Sequence, residues 1–393
     1  MPPSDPGVDR PAAVLAVTIL GVVGSIVFLL LPLLVGAFTE ELGLDARAVG
    51  TLASADMAGM FAAAAAATLW VRRADWRRVA LAAAGGLAAC HLTSAFVTGL
   101  APLLLLRGAA GLAGGTLMSI ALTSLGDARA PDRWFALFVS GQLGLGALAL
   151  WQLPALLAAG GLRAVFLALA VLTAAAALAV PSVPRKGRPR ATLSEASPAA
   201  RSLAPGVLAL AGCLLFNAGI MAVWASMERI GDRSGLPPET IGGALGASLV
   251  VGLIGALAAA ALVDRFGRAL PLAATVILQL ASLALLAGRP SAASYALAVA
   301  LFSFCWNFPV AYQLAITVSV DRSDRLVVLF LSAVKLGYAI GPAAAGLLVA
   351  SADGFGPVLA AGGACFLLAA AVYVPLAGLA ARGSASPDRR AHA

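Results

Sequence analysis

The stretch LVVLFLSAVKLGYAIGPAAAGLLVA, residues 326–350, is long enough to cross a lipid bilayer as one helix, and Lys335 at its tenth position is its only charged side chain. At about 1.5 Å per residue, the lysine lies roughly 15 Å into hydrocarbon about 30 Å thick. A cation at that depth costs about 2.5–3.5 kcal/mol. We therefore expect Lys335 to face protein or water and to have a partner. The best candidate is Asp56, at similar depth in the apolar run 47–71.

The whole chain repeats this kind of apolar run. Hydrophobic residues make up 61% of the 393 residues and charged residues 11%, whereas soluble domains carry about 25% charged residues. In lipid, backbone N–H and C=O groups must find hydrogen-bond partners within the protein. A helix forms these hydrogen bonds within its own segment, so each run predicts a spanning helix. We expect an all-α polytopic membrane protein with twelve transmembrane helices, near residues 14–38, 47–71, 79–98, 102–126, 135–159, 164–181, 205–228, 240–263, 270–288, 294–320, 326–351 and 356–380.

A polar segment divides these helices into two sets of six. Residues 182–204 are rich in proline, arginine and serine, which indicates a flexible linker. The predicted organisation is a tail over 1–13, bundles over 14–181 and 205–380, and a second tail over 381–393. A shift of 192 places Gly43 on Gly235 and Arg73 on Arg265, so the turns of the two halves coincide. We interpret them as pseudo-symmetric repeats.

The net charge is +8, and the basic residues are distributed unevenly between the two sides of the predicted membrane. Of the 26 basic residues, 19 fall on segments that share a side with the N-terminus, and five fall on the other side. This asymmetry predicts that both termini lie in the cytoplasm, and it argues against a nucleic-acid partner. We expect the membrane to be a bacterial inner membrane. There is no phosphate-binding loop and no metal-ligand spacing, so we expect no enzyme activity and no cofactor.

The most specific motif follows the eighth predicted helix. It reads DRFGR and comprises Asp264, Arg265, Phe266, Gly267 and Arg268. Gly267 permits a tight turn, and the aspartate can accept hydrogen bonds from the arginines. The motif resembles the cytoplasmic turn of the major facilitator superfamily, and the resemblance covers nearly the whole chain. It implies two six-helix halves that alternate access to a central site, with a cytoplasmic gate at this turn. The first-half copy has Arg72 where the family has its aspartate.

Two helices carry glycine patterns that extend the resemblance. Arg107, Gly111 and Gly115 recur every fourth residue, and the glycines form a groove for a close neighbouring helix. In proton-coupled members of the family, the matching arginine takes part in proton handling. Gly341 and Pro342 follow Lys335 and predict a hinge, as does Pro309 in the tenth helix.

The resemblance also implies which helices line the central cavity. The expected lining residue on the seventh helix is Asn217. On the tenth helix, a group of amide and aromatic side chains is expected to line the cavity, and Gln142 is a further hydrogen-bond donor. The predicted binding wall therefore comprises Asn217, Trp306, Asn307, Tyr312, Gln313 and Gln142. The alternative is a packed kink at Pro309 with each amide bonded to a neighbouring helix.

The charged positions each have more than one interpretation. Asp56 and Lys335 form a pair that transport breaks and remakes, or a static pair between the halves; in a third arrangement Lys335 binds substrate and Asp56 carries a proton. Arg107 takes part in transport or extends towards the surface. His91 relays protons or packs. Glu228, beside Arg229 and other charges at a helix end, is more typical of a solvated boundary.

These observations predict a secondary active transporter of a small organic solute. The lysine at mid-depth favours an organic anion with proton coupling, moved by a monomer in the lipid bilayer. Two alternatives remain open: proton-driven efflux of amphipathic drugs or metabolites, and a transporter-like receptor or lipid-handling protein.

Overall fold

A computed structural model describes residues 7–188, 204–262, 265–320, 324–352 and 354–384. Over these residues the only regular structure is helical. The eleven α-helices are α1 Pro11–Leu42, α2 Ala46–Trp70, α3 Trp76–Ser94, α4 Leu100–Gly126, α5 Pro131–Ala177, α6 Ala204–Arg233, α7 Pro238–Leu262, α8 Ala269–Leu286, α9 Ala292–Val320, α10 Asp324–Ala350 and α11 Gly356–Ser384.

Helix α5 consists of two arms that meet at a pair of glycines. Gly160 has φ −168° and ψ 20°, and Gly161 has φ 62° and ψ −158°, so neither is helical. The positive φ of Gly161 is strained for any residue with a Cβ. Counted as two arms, α5 brings the described helical segments to twelve, in agreement with the sequence. By length and composition, ten of the helices within the described residues are apolar enough to cross a membrane, with α5 counted once and α3 outside that set.

The helices pack as two similar groups, α1–α5 and α6–α11. In the first group α4 packs against α1, α2 and α3; in the second group α9 packs in the same way against α6, α7 and α8. Between the groups, α2 packs on α10, the first arm of α5 packs on α7, and α1 packs on α6. The repeat seen in the sequence is therefore also a repeat of helix packing.

The two groups interlock at one end of the bundle. We call the end where α1 begins the terminal end, and the end that holds Gly43 and Gly161 the opposite end. At the opposite end, a Cβ on Gly50 of α2 would lie 2.5 Å from the Pro342 carbonyl oxygen of α10. A Cβ on Gly242 of α7 would lie 2.6 Å from Pro154 of α5. Backbones that approach this closely hold the two halves in contact at the opposite end, which we describe as closed in this conformation.

Candidate functional site

Four aromatic side chains from both halves meet where α1, α6, α9 and α10 cross. The ring centroid of Trp306 is 5.5 Å from that of Trp224, 6.0 Å from Tyr338 and 6.2 Å from Phe28. The Trp306 indole donates to the Tyr338 hydroxyl at 3.0 Å. Across the halves, the Trp224 indole donates to the Phe28 carbonyl at 3.2 Å. We call Phe28, Trp224, Trp306 and Tyr338 the aromatic cluster.

Lys335 extends along this cluster. Its Nζ lies 5.5 Å from the ring centroid of Phe28 and 5.3 Å from that of Tyr338, close enough for cation–π attraction. Across the halves, Nζ is 3.6 Å from the sulfur of Met118 on α4. Among the described residues, no carboxylate forms an ion pair with this lysine. The expected partnership of Lys335 with Asp56 is therefore wrong.

The direction of Asp56 around α2 explains why the pair does not form. Helix α2 does face α10, as expected, but through Gly50 and Ser54. Asp56 follows Ser54 by two residues, which turns its side chain by about 200° around the helix axis. It therefore points away from Lys335 and towards α4 in its own half.

Asp56 belongs to a buried polar cluster centred on Arg107. The Asp56 carboxylate lies 3.5 Å from Arg107 Nη1, and the two side chains are 6% and 2% exposed. Arg107 Nη1 also lies 3.4 Å from His91 Nδ1, while Nη2 donates to Ser94 Oγ at 2.9 Å. The guanidinium carbon is 4.7 Å from the ring centroid of Phe166. Arg107 is thus enclosed by its own half, which excludes the alternative that it extends to the membrane surface.

The predicted glycine groove holds this cluster together. A Cβ on Gly111 would overlap the Asp56 carbonyl oxygen, and a Cβ on Gly115 would lie 2.9 Å from the Met60 Cα. Helices α2 and α4 are therefore in backbone contact beside the ion pair. The groove that the spacing of Arg107, Gly111 and Gly115 predicts is present.

The predicted amides mostly bond within their own half. Asn217 donates to the carbonyl four residues earlier at 2.8 Å, and Asn307 does the same at 3.1 Å. Gln142 donates to a serine hydroxyl of α1 at 2.6 Å. Tyr312 and Gln313 are buried, and Gln313 Oε1 has no hydrogen-bond partner. Of the predicted binding wall, Trp306 is the member that enters the aromatic cluster.

The predicted hinge residues lie inside continuous helices. Pro309 is within α9 and Pro342 is within α10. The backbone N–H of Ala343, which follows Pro342, donates to Ser54 Oγ of the other half at 2.8 Å. A Cβ on Gly341 would lie 2.6 Å from a carbonyl oxygen of α6. The Gly341–Pro342 segment is thus held between α2 and α6, and bending at either proline stays a prediction.

The DRFGR turn is described only in part, because Asp264 lies outside the described residues. Gly267 has φ 65°, which agrees with the expected tight turn. Arg265 is exposed, and Arg268 donates to the Ala315 carbonyl at 3.2 Å. A gating role for this turn stays a prediction.

The first-half copy of this turn carries an arginine in place of the family aspartate. That residue, Arg72, forms an ion pair with Asp127, at the end of α4. Asp127 also accepts from the backbone N–H of Arg188, whose side chain pairs with Asp9. These contacts join the start of α1 to the segment that follows α5, all within one half.

Glu228 differs from its expected environment. The sequence favours a solvated helix end, but the side chain is only 9% exposed, so that interpretation is wrong. Its Oε2 is buried and has no hydrogen-bond partner. The carboxylate faces Gly36 of α1, in the other half, where a Cβ would lie 2.7 Å from Oε1 and still closer to Oε2. Close contact between the halves at the opposite end thus buries Glu228.

Sequence reasoning missed Phe28, Tyr338 and Met118, which contact Lys335, and Trp224, which packs against Trp306. Tyr338 follows Lys335 by three residues, so the helical period places both on one face of α10. That signal was available from the sequence. Phe28 and Met118 belong to the other half, and only packing brings them to the lysine.

Comparisons with known proteins agree with this architecture. The family model for the Major Facilitator Superfamily matches residues 14–322. A mutant of the nucleoside transporter NupG superposes with a TM-score of 0.71 at 14% identity, covering 94% of this chain and 99% of that chain. A bacterial homologue of the human lysosomal transporter Spinster, inward-facing and unoccupied, has a TM-score of 0.70 at 13% identity, covering 96% of this chain and 100% of that chain.

No functionally curated protein matches the sequence. At these identities the two solved structures show the fold alone. The family match covers more than half of the residues and spans helices α1 to α9 of the two packed groups. The chain therefore belongs to the Major Facilitator Superfamily, as a multi-pass membrane transporter and not an enzyme.

Proposed function

We propose that this protein is a secondary active transporter of a small organic anion, coupled to protons and operating by alternating access. One observation carries the proposal: Lys335 lies at mid-depth between the halves with no carboxylate partner among the described residues. A cation removed from water is costly unless a charge of opposite sign compensates it. A bound anion would supply that charge.

The surroundings of Lys335 favour an anion with an apolar or aromatic body. The aromatic cluster offers ring faces and edges, and Met118 offers a polarisable sulfur. Because Phe28 and Met118 come from one half and Tyr338 from the other, such a ligand would touch both halves.

In this proposal the moving units are the bundles 14–181 and 205–380, joined by the linker 182–204. The transporter acts as a monomer in a bacterial inner membrane, with both termini cytoplasmic.

The third sequence interpretation, with substrate on Lys335 and a proton on Asp56, requires both groups to respond to transport. The Asp56 carboxylate is already balanced by Arg107, in a cluster that one half encloses. We therefore assign the anion to Lys335 and treat the Asp56, Arg107 and His91 cluster as a fixed element of its half. That Asp56 carries a proton stays a prediction.

The test is uptake into proteoliposomes with an imposed pH gradient, with radiolabelled benzoate as the probe and benzyl alcohol as a neutral competitor. Benzoic acid also diffuses through lipid, so uptake is measured as the excess over protein-free liposomes in the same gradient. We expect the gradient to drive this excess benzoate accumulation, excess unlabelled benzoate to compete, and benzyl alcohol not to compete. Lys335→Met should abolish the excess. The chain has one other lysine, Lys186, which is exposed, so Lys186→Met is a matched control that should transport normally.

Three results would overturn this assignment. Normal uptake by Lys335→Met would show that the lysine does not bind the anion. Failure to move benzoate and a panel of aliphatic and aromatic carboxylates, together with gradient-driven export of the cationic dye ethidium, would establish the efflux alternative. Thermal stabilisation by a ligand without flux in any gradient would establish the receptor alternative.

A further inference from the structure

Glu228 occupies an unusual position for a carboxylate. It lies near the last turn of α6, and α6 packs against α1 of the other half. Gly36 provides the space that its carboxyl group fills, because any side chain there would overlap Oε2. The carboxyl group is therefore enclosed only while the two halves meet at the opposite end.

The charges around Glu228 do not neutralise it. On its own helix, Arg229 lies beside it, but the guanidinium binds Glu40 of α1 at 2.9 Å and Asp232 at 3.3 Å. From α9, the Tyr295 hydroxyl faces Glu228 and donates to a backbone carbonyl of α6 at 3.1 Å. One shared arginine thus serves three carboxylates. An ionised Glu228 would have a buried Oε2 without a hydrogen bond, and the cation beside it, Arg229, already pairs with two other carboxylates.

We propose that Glu228 is a proton-binding site, protonated when the halves close at the opposite end and ionised when they part there. The neutral carboxyl group suits the enclosed position because burial penalises the charged form, and the two acidic neighbours add to that penalty. Opening would expose the group to water, where its charge is solvated. Closure would therefore take up one proton and opening would release it. The inference rests on the alternating access of the proposed function and adds to it a pH-responsive contact at the opposite end, whose proton is taken up from and returned to the solution on that side.

The sign of the pH dependence follows directly. If closure binds one proton, acid favours the closed opposite end and alkali favours the open one. For one fully coupled proton, the ratio of closed to open molecules changes by up to about tenfold per pH unit. The other acids near this position, Glu40 and Asp232, are more exposed than Glu228 and bind Arg229.

The experiment measures the distance between the halves at the opposite end by double electron–electron resonance. Spin labels are attached at Arg47→Cys on α2 and Ser351→Cys after α10, two exposed positions in different halves, with the four native cysteines replaced. We expect the short-distance population to grow from mildly alkaline to mildly acidic buffer. Glu228→Gln, which keeps the shape of the neutral carboxyl, should show the short distance at every pH.

The matched control is Glu40→Gln, which loses the ion pair with Arg229 but should keep the pH response. A Glu228→Gln protein that responds to pH as the wild type does would overturn the proposal. If this variant folds poorly, Gly36→Ser provides a second test: its added atoms displace the carboxyl group, so the short-distance population should fall at every pH. An unchanged population in Gly36→Ser would also overturn it. The measurement needs no substrate, so failure of benzoate transport with an intact pH response would refute the proposed substrate and not this site.

Discussion

The substitution Asp56→Asn tests the buried cluster of the first half. It removes the carboxylate 3.5 Å from Arg107 Nη1 and leaves a guanidinium whose side chain is 2% exposed. Breaking a buried ion pair by removing one partner costs about 3–5 kcal/mol, because the remaining charge has no counter-ion. The hydrogen bond to Ser94 and the contact with Phe166 persist, since neither involves Asp56. They offset part of the loss, so we expect about 3 kcal/mol.

The assay is unfolding in detergent micelles, by heat or by increasing sodium dodecyl sulfate, followed through tryptophan fluorescence. The double variant Asp56→Asn/Arg107→Met removes the orphaned charge and should recover most of the lost stability. A matched control is Asp232→Asn. The Asp232 side chain is 46% exposed, so its ion pair with Arg229 contributes at most about 1 kcal/mol. The reasoning fails if Asp56→Asn is as stable as the wild type, or if the double variant is less stable than the single one.

Three further substitutions test the closed end and the loop network. Gly50→Leu should force α2 and α10 apart, because even a Cβ lies 2.5 Å from the Pro342 carbonyl; spin-label distances should then show a predominantly open opposite end. Ser54→Ala loses the 2.8 Å hydrogen bond across the halves, and closure should weaken by about 0.5–1.5 kcal/mol in the same measurement. Asp127→Asn releases Arg72, which is 36% exposed, so the melting temperature in low salt should fall slightly and the difference should vanish in high salt.

The fold could be predicted because hydrocarbon imposes few choices on a chain. Each apolar run long enough to span predicts a helix, and the polar segment 182–204 predicts the division into halves. The break between the arms of α5 also falls where sequence reasoning ended one helix and began the next, at Gly160 and Gly161. The spacing of Gly111 and Gly115 predicted close helix contact correctly, because small residues at every fourth position form a groove into which a neighbouring helix packs.

The site was predicted less completely because hydropathy sets the depth of a residue but not the helix that it faces. Depth alone paired Asp56 with Lys335, while Glu228 looked solvated because it lies among charges at a helix end. Its burial depends on Gly36, which is distant in sequence and belongs to the other half. The aromatic cluster likewise combines Phe28 with side chains of the second half. Such contacts follow from packing between bundles, which no local pattern encodes.

The observed pairing also fits alternating access better than the expected one. An ion pair between Asp56 and Lys335 would cross the interface, and every transport cycle would have to separate two charges in a poorly solvated region. The structure instead balances Asp56 with Arg107 inside one half, where movement between the halves need not break the contact. That arrangement leaves the charge of Lys335 without a fixed counter-ion, beside rings and a sulfur that bind weakly. In the proposed function, this lysine binds a diffusible anion that arrives and leaves with each change of conformation.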